Sequence, residues 1–199
     1  MQKILSIISS INGAKSYSNR LADAVIARIQ ETYPDNTVQV RDLTKNTYPH
    51  LEESHLQAFF APPEMSGNFG EAMRHSDEAI GELNDADIIV MAVPMYNFGI
   101  PSVLKTWIDH TVRINKTFVY DEQGIPKGIF KNKKVYLAIA SGGIYSDGPM
   151  KAFDFTESYL RSILGFIGLT DMTAFRVEGT AIPGVQDTAL QKGIESISI

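Results

Sequence analysis

Hydroxyls gather where the first apolar run ends. Ser9-Ser10-Ile11-Asn12-Gly13-Ala14-Lys15-Ser16-Tyr17-Ser18-Asn19 follows Lys3–Ile8 and leads into a helical pattern. A helix start carries backbone N–H groups without partners and the positive end of the macrodipole, so Ser10, Ser16 and Ser18 beside it suit a phosphate. The same serines also serve as plain helix caps. A second stretch, Pro94-Met95-Tyr96-Asn97-Phe98-Gly99, follows the most apolar run of the chain. Its aromatic rings can face a flat ligand while Asn97 and the backbone reach a polar edge; such rings also pack into cores. The third, Ser141-Gly142-Gly143, lets backbone donors approach a ligand without side-chain interference, or forms an ordinary turn.

The elements that must position these stretches are read from periodicity. Residues 3–8, 88–93 and 135–140 are apolar enough for strands buried on both faces. Residues 37–41 alternate like a half-buried strand, and 172–177 read as the last one. Leu21, Ala24, Val25 and Ile29 mark a helix opened by Ser16 or Ser18. Helical patterns over 51–60 and 70–83 are broken by Pro62-Pro63. Pro101 opens a helix with Leu104, Trp107, Ile108 and Thr111 on one face. Residues 117–129 read as a hairpin or an excursion around Asp121-Glu122-Gln123-Gly124, and helices follow over 153–166 and 185–197. This alternation predicts a single α/β domain over 1–199, a doubly wound five-stranded parallel sheet of flavodoxin-like order 2-1-3-4-5. Ligands then bind beyond the carboxyl ends of the strands where the order reverses. The three stretches meet there.

Composition narrows the chemistry. The 199 residues are 44% hydrophobic and 21% charged, with net charge −5. That balance argues against a nucleic-acid or anionic-membrane partner, both of which need a cationic face. There is no cysteine, which removes disulfides, thiolate nucleophiles and iron–sulfur ligation and fits a cytoplasmic protein. The apolar stretch before Ser9 is too short for a signal peptide, and none is long enough to cross a bilayer. No G-x-G-x-x-G, Walker sequence or Gly-x-Ser-x-Gly elbow occurs. His50, His55, His75 and His110 lack metal spacing, and His50 and His55 read as surface residues. Asp85 and Asp87 read as a strand start, and Lys131 to Lys134 as a solvated strand entrance.

The serine loop, Pro94-Met95-Tyr96-Asn97-Phe98, Gly142-Gly143, Asp147-Gly148-Pro149, Leu164-Gly165-Phe166-Ile167-Gly168 and Glu178-Gly179 together resemble the FMN-dependent NADH azoreductases, also described as NADH:quinone oxidoreductases. The resemblance runs from Lys3 to beyond Gly179. It implies one tightly bound FMN per subunit, NADH as electron donor, quinone or aromatic azo substrates and a homodimer with the site near the interface. It implies that Ser10, Ser16, Tyr17 and Ser18 hold the FMN phosphate. Met95, Tyr96, Asn97 and Phe98 would line the isoalloxazine, and Ser141, Gly142 and Gly143 would meet its pyrimidine edge. Ala140-Ser141 departs from the family's usual Ser-Arg before the two glycines, leaving the backbone as donor. Tyr17 stands where glutamine is common. With flavin-borne chemistry no catalytic acid–base pair is required and no metal is expected. Phe98, Phe118, Tyr120, Phe60 and Phe166 are expected to wall the substrate slot. Two other readings compete: a flavodoxin-type electron carrier, and a flavin-free α/β domain.

Overall fold

The computed structural model describes residues 1–62 and 69–199; Pro63 of the Pro62-Pro63 break lies outside them. Five parallel strands form one sheet: β1 (Gln2–Ile8), β2 (Asn36–Asp42), β3 (Ile88–Pro94), β6 (Lys134–Ala140) and β7 (Asp171–Val177). Their spatial order is β2-β1-β3-β6-β7. Counted without the small hairpin this is 2-1-3-4-5, as the apolar runs predict. Two further strands, β4 (Phe118–Tyr120) and β5 (Pro126–Gly128), pair antiparallel in that hairpin.

Strand periodicity of two splits the core into two halves. Ile89, Met91 and Val93 face one way, against Leu83 of helix α3 (Gly70–Asp85), Leu104 and Trp107 of α4 (Ser102–Thr111), and Leu160 of α5 (Phe155–Phe166). Ile88, Val90 and Ala92 face the other, against Leu21, Val25 and Ile29 of α1 (Tyr17–Thr32) and Ala189 of α6 (Gln186–Glu195). Every residue of β3 is buried, so the strand tolerates no polar alternation.

The edge strand differs from its sequence pattern. Val38 and Val40 of β2 are 37% and 58% exposed rather than half-buried. The reason is coverage: α1 packs over β3, β6 and β7, which leaves that face of β2 bare. The other face carries Gln39 and Arg41, both bonded to Glu82 of α3. Lys133 is also no solvated lysine. Its Nζ donates to the carbonyls of Asn84 (2.8 Å) and Ala86 (2.5 Å), satisfying the end of α3. Asp87 does enter its strand, but Asp85 closes α3.

The histidines are the larger correction. His55, on α2 (Glu53–Phe59), His75 and His110 converge: His55 and His110 rings lie 4.9 Å apart and His75 and His110 6.0 Å. His55 and His110 are buried. Periodicity is blind to this because the three residues come from separate helices. Among the described residues no group of acidic, histidine or cysteine side chains is arranged to hold a metal, and no helix is long and apolar enough to cross a membrane.

Candidate functional site

The three stretches meet at the carboxyl edge of the sheet. Ser10, Asn12, Ser16, Tyr17, Pro94, Met95, Tyr96, Ala140, Ser141, Gly142 and Thr180 line one cleft. Backbone bonds lock the convergence: Ser9 N donates to Ala92 O, and Met95 N to Ala140 O at 2.8 Å. The Ser9 hydroxyl also donates to Ala92 O (2.7 Å), so Ser9 braces the loop and is spent.

Of the two serines that could start α1, Ser16 is the cap. Its Oγ accepts from Asn19 N at 3.2 Å and lies 3.0 Å from Ser18 Oγ, which is fully buried behind it. The N–H groups of Tyr17 and Ser18 find no acceptor among the described residues. They are the orphan donors of a helix start beside the Ser10 and Ser16 hydroxyls, an arrangement suited to a phosphate.

The second loop is a tight two-residue turn. Tyr96 N donates to Gly99 O (2.9 Å) and Gly99 N to Tyr96 O (3.1 Å), with Asn97 at φ 50° and Phe98 at φ 71°. Both central residues sit in the left-handed region that two-residue turns of this hand require. Met95 and Tyr96 enter the cleft, whereas Asn97 and Phe98 adjoin it at the turn. The Phe98 ring is 40% exposed and meets Phe153 at 5.5 Å and Tyr145 at 6.1 Å. The buried Tyr96 hydroxyl has no protein partner among the described residues.

In the third loop Gly142 lines the cleft, while Gly143 lies beyond it against the Tyr145 ring. The Ser141 hydroxyl does not reach outward; it donates to Gly143 O at 2.9 Å. Thr180, three residues past β7 and outside the three switch-point loops, also lines the cleft. Its hydroxyl donates to Ser141 O at 3.1 Å. The signal was available in principle, since β7 neighbours β6 and its following loop must adjoin the glycines.

Four of the expected wall residues, Phe118, Tyr120, Phe166 and Phe60, are not among those lining this cleft within one protomer. Gly128 touches the chain just ahead of β7: a Cβ there would lie 2.1 Å from Gly168 N. Phe130 N also donates to Ile167 O. The base of the hairpin therefore sits at the edge where the strands begin, opposite the cleft. Phe118 packs there on Phe166 (4.7 Å) and Tyr120 (5.6 Å). Phe60 stands 73% exposed at the end of α2. Phe153 and Tyr145, unpredicted as walls, flank Phe98 instead.

The cleft fits the group that the sequence implied. Unpaired amides at a helix start, an unpartnered buried phenol, and a glycine amide facing a shallow opening together suit a phosphoester joined to a flat heteroaromatic. The flavodoxin-like fold family matches the chain over residues 2–198. An FMN-dependent NADH:quinone oxidoreductase of Herminiimonas arsenicoxydans is 45% identical over 183 residues, 92% of this chain and 89% of the relative. The enzyme of the same name from Beijerinckia indica is 41% identical over the whole chain and 98% of its own length. The chain belongs to this FMN-dependent NADH:quinone oxidoreductase family. Among solved structures, an azoreductase from Bacillus anthracis superposes with a TM-score of 0.88 at 30% identity, covering 98% of this chain and 96% of its own. An FMN-dependent NADH-azoreductase from the same species, solved in complex with FMN, gives 0.82 at 26% identity over 98% and 97%.

Proposed function

We propose that this chain is an FMN-dependent oxidoreductase that passes two electrons from NADH to quinones and aromatic azo compounds. The observation that carries the reading is the cleft in which the amides of Tyr17 and Gly142, with that of Ser18 behind, have no acceptor among the described residues and lie beside Met95 and Tyr96. When bound, FMN supplies the redox chemistry. The chain holds it: Ser10 and Ser16 hydroxyls with the first amides of α1 take the phosphate, Met95 to Phe98 line the ring, and Gly142 with Gly143 addresses the pyrimidine edge. Donors fixed there favour the negative charge that develops on reduction.

Phe98, Tyr145 and Phe153 flank the open side and exclude water from it. NADH and the acceptor use one slot in turn, a ping-pong order that needs no second dinucleotide site. We place the enzyme in the cytoplasm as a homodimer, in which Phe118, Tyr120 and Phe166 wall the partner's slot rather than their own.

Purified protein supplied with FMN is expected to turn yellow and to consume NADH with menadione and with methyl red. FMN uptake without NADH consumption would leave an electron carrier. A colourless protein that ignores FMN would overturn the reading altogether.

A further inference from the structure

The loop of paired glycines is held entirely from behind. Thr180 N donates to Ser141 O at 3.2 Å, Ala181 N to Gly142 O at 3.0 Å and Gly179 N to Gly143 O at 3.0 Å. In a trans peptide the carbonyl and the following N–H point in opposite directions. With the Ser141 and Gly142 carbonyls turned toward 179–181, the Gly142 and Gly143 N–H groups point the other way. Neither has an acceptor among the described residues. The outward aim of these donors is thus set by where residues 179–181 sit.

One side chain ties that segment to the loop's return limb. Glu178 Oε1 accepts from Tyr145 N (2.8 Å) and Ser146 N (2.9 Å), and Oε2 accepts from Ser146 Oγ (2.5 Å). Arg176 backs it. Its Nη1 donates to Glu178 Oε1 at 3.4 Å, and its Nη2 donates to Glu157 at 2.5 Å and to Asp154, the cap of α5. Glu157 also receives Arg161 at 2.7 Å. Three carboxylates therefore face two guanidiniums beside the loop. All of Arg176, Glu178 and Asp154 are largely removed from solvent, where such charges are weakly screened.

We propose that Glu178 and Arg176 are positioning residues for the flavin: Glu178 fixes the loop that aims the Gly142 and Gly143 amides, and Arg176 cancels the carboxylate charge behind them. This rests on the flavin reading above and adds a consequence for potential. Hydrogen bonds to a charged acceptor are about twice as strong as neutral ones. A rigid donor pair therefore favours the reduced, more negative flavin over the oxidised one, and a bare carboxylate behind the pair disfavours it.

The test measures the two-electron midpoint potential of bound FMN by dye equilibration, and FMN affinity by fluorescence quenching, in the wild type and four variants. Glu178→Ala should weaken binding of reduced FMN about tenfold more than that of oxidised FMN, lowering the potential by about 30 mV. Glu178→Gln keeps an acceptor for Tyr145 N and Ser146 N and removes the charge, so it should bring the potential back to the wild-type value or above it. Arg176→Gln should lower the potential at least as far as Glu178→Ala, and Arg176→Gln with Glu178→Gln should recover more than half of the drop. A purely structural role would alter melting temperature and both FMN affinities alike while leaving the potential in place, which overturns the proposal. Should Glu178→Ala fail to fold, the Arg176→Gln single and double variants decide. A wild type that takes up no FMN fails the underlying reading instead, a separate outcome visible before any variant is made.

Discussion

Asn97 and Phe98 occupy backbone that L-residues avoid, at a cost of about 1–2 kcal/mol per residue for most side chains. Asparagine is among the few that enter this region readily, so Asn97 meets a conformational demand of the turn that adjoins the cleft. Alanine there removes the amide and strains the turn together; glycine removes only the amide. We expect Asn97→Gly to keep wild-type stability and FMN affinity within about twofold while lowering turnover about tenfold. That fall corresponds to roughly 1.4 kcal/mol of transition-state stabilisation. Asn97→Ala should show the same loss of turnover plus about 1 kcal/mol of destabilisation in urea. Equal turnover in Asn97→Gly and wild type would remove Asn97 from the ring edge. The serine loop divides in the same manner. Because Ser16 Oγ already accepts from Asn19 N, Ser16→Ala should cost about 1 kcal/mol even without FMN. Ser18→Ala should cost FMN affinity chiefly by loosening Ser16, its partner at 3.0 Å. Urea melts of FMN-free protein, compared with FMN titrations, separate the two effects.

At the scale of elements, what the sequence made legible was what local periodicity encodes. The buried runs at Ile88–Val93 and Val135–Ala140 announced central strands, and their order placed three loops at one rim. What stayed hidden depended on coverage and on contacts far apart in the chain. The exposure of Val40 follows from where α1 ends across the sheet. The position of Phe118 follows from Gly128 pressing on Gly168, and Thr180 enters the cleft only because β7 lies beside β6. The histidine cluster is the clearest case, and it has a measurable consequence. His110 is fully buried; its Nε2 lies 3.0 Å from Pro49 O and so donates, and Nδ1 has no partner among the described residues. Burial lowers its pKa, with His55 and His75 adding to the fall against the Pro49 bond and Asp109. Tyr48 (5.7 Å) and Phe59 (6.1 Å) also pack on its ring, and the Arg113 guanidinium lies over Phe59, paired with Asp77. His75 is lowered as well, by burial first and then by Arg74. A histidine with a depressed folded pKa leaves the unfolded chain to bind the proton first. Its stabilisation is complete above the unfolded value of about 6.5 and is lost as pH falls below it. Unfolding free energy should decline below pH 6.5 with a slope approaching about 1.4 kcal/mol per pH unit for His110. His110→Gln, which keeps a donor for Pro49 O, should flatten that slope. Identical slopes in urea melts from pH 7.5 to 5.5 would show that His110 does not titrate on unfolding.

At the scale of the whole molecule, the hairpin and the cleft lie at opposite edges of one sheet, so a single protomer cannot close its slot with Phe118 and Tyr120. The face between them offers a means of pairing. Phe155, 57% exposed, borders an apolar groove with Ile100 and Tyr159 between α4 and α5. Large exposed apolar patches on folded chains often mark interaction surfaces, and two-fold pairing is the commonest closed solution. In a homodimer each hairpin would then serve the other protomer's slot. Complementation tests this directly. Asn97→Gly disables the slot of the protomer that bears it, and Tyr120→Ala disables the slot its hairpin reaches. Refolding the two variants together at equal concentration yields mixed dimers as half of the total. If Tyr120 reaches across, each mixed dimer has one intact slot, and turnover should recover to about a quarter of wild type. If Tyr120 serves its own protomer, every slot in the mixture carries one defect and turnover stays at the level of the parents. Sedimentation on the same sample reports whether dimers formed, so an absence of recovery in a dimeric sample would disprove the crossed arrangement.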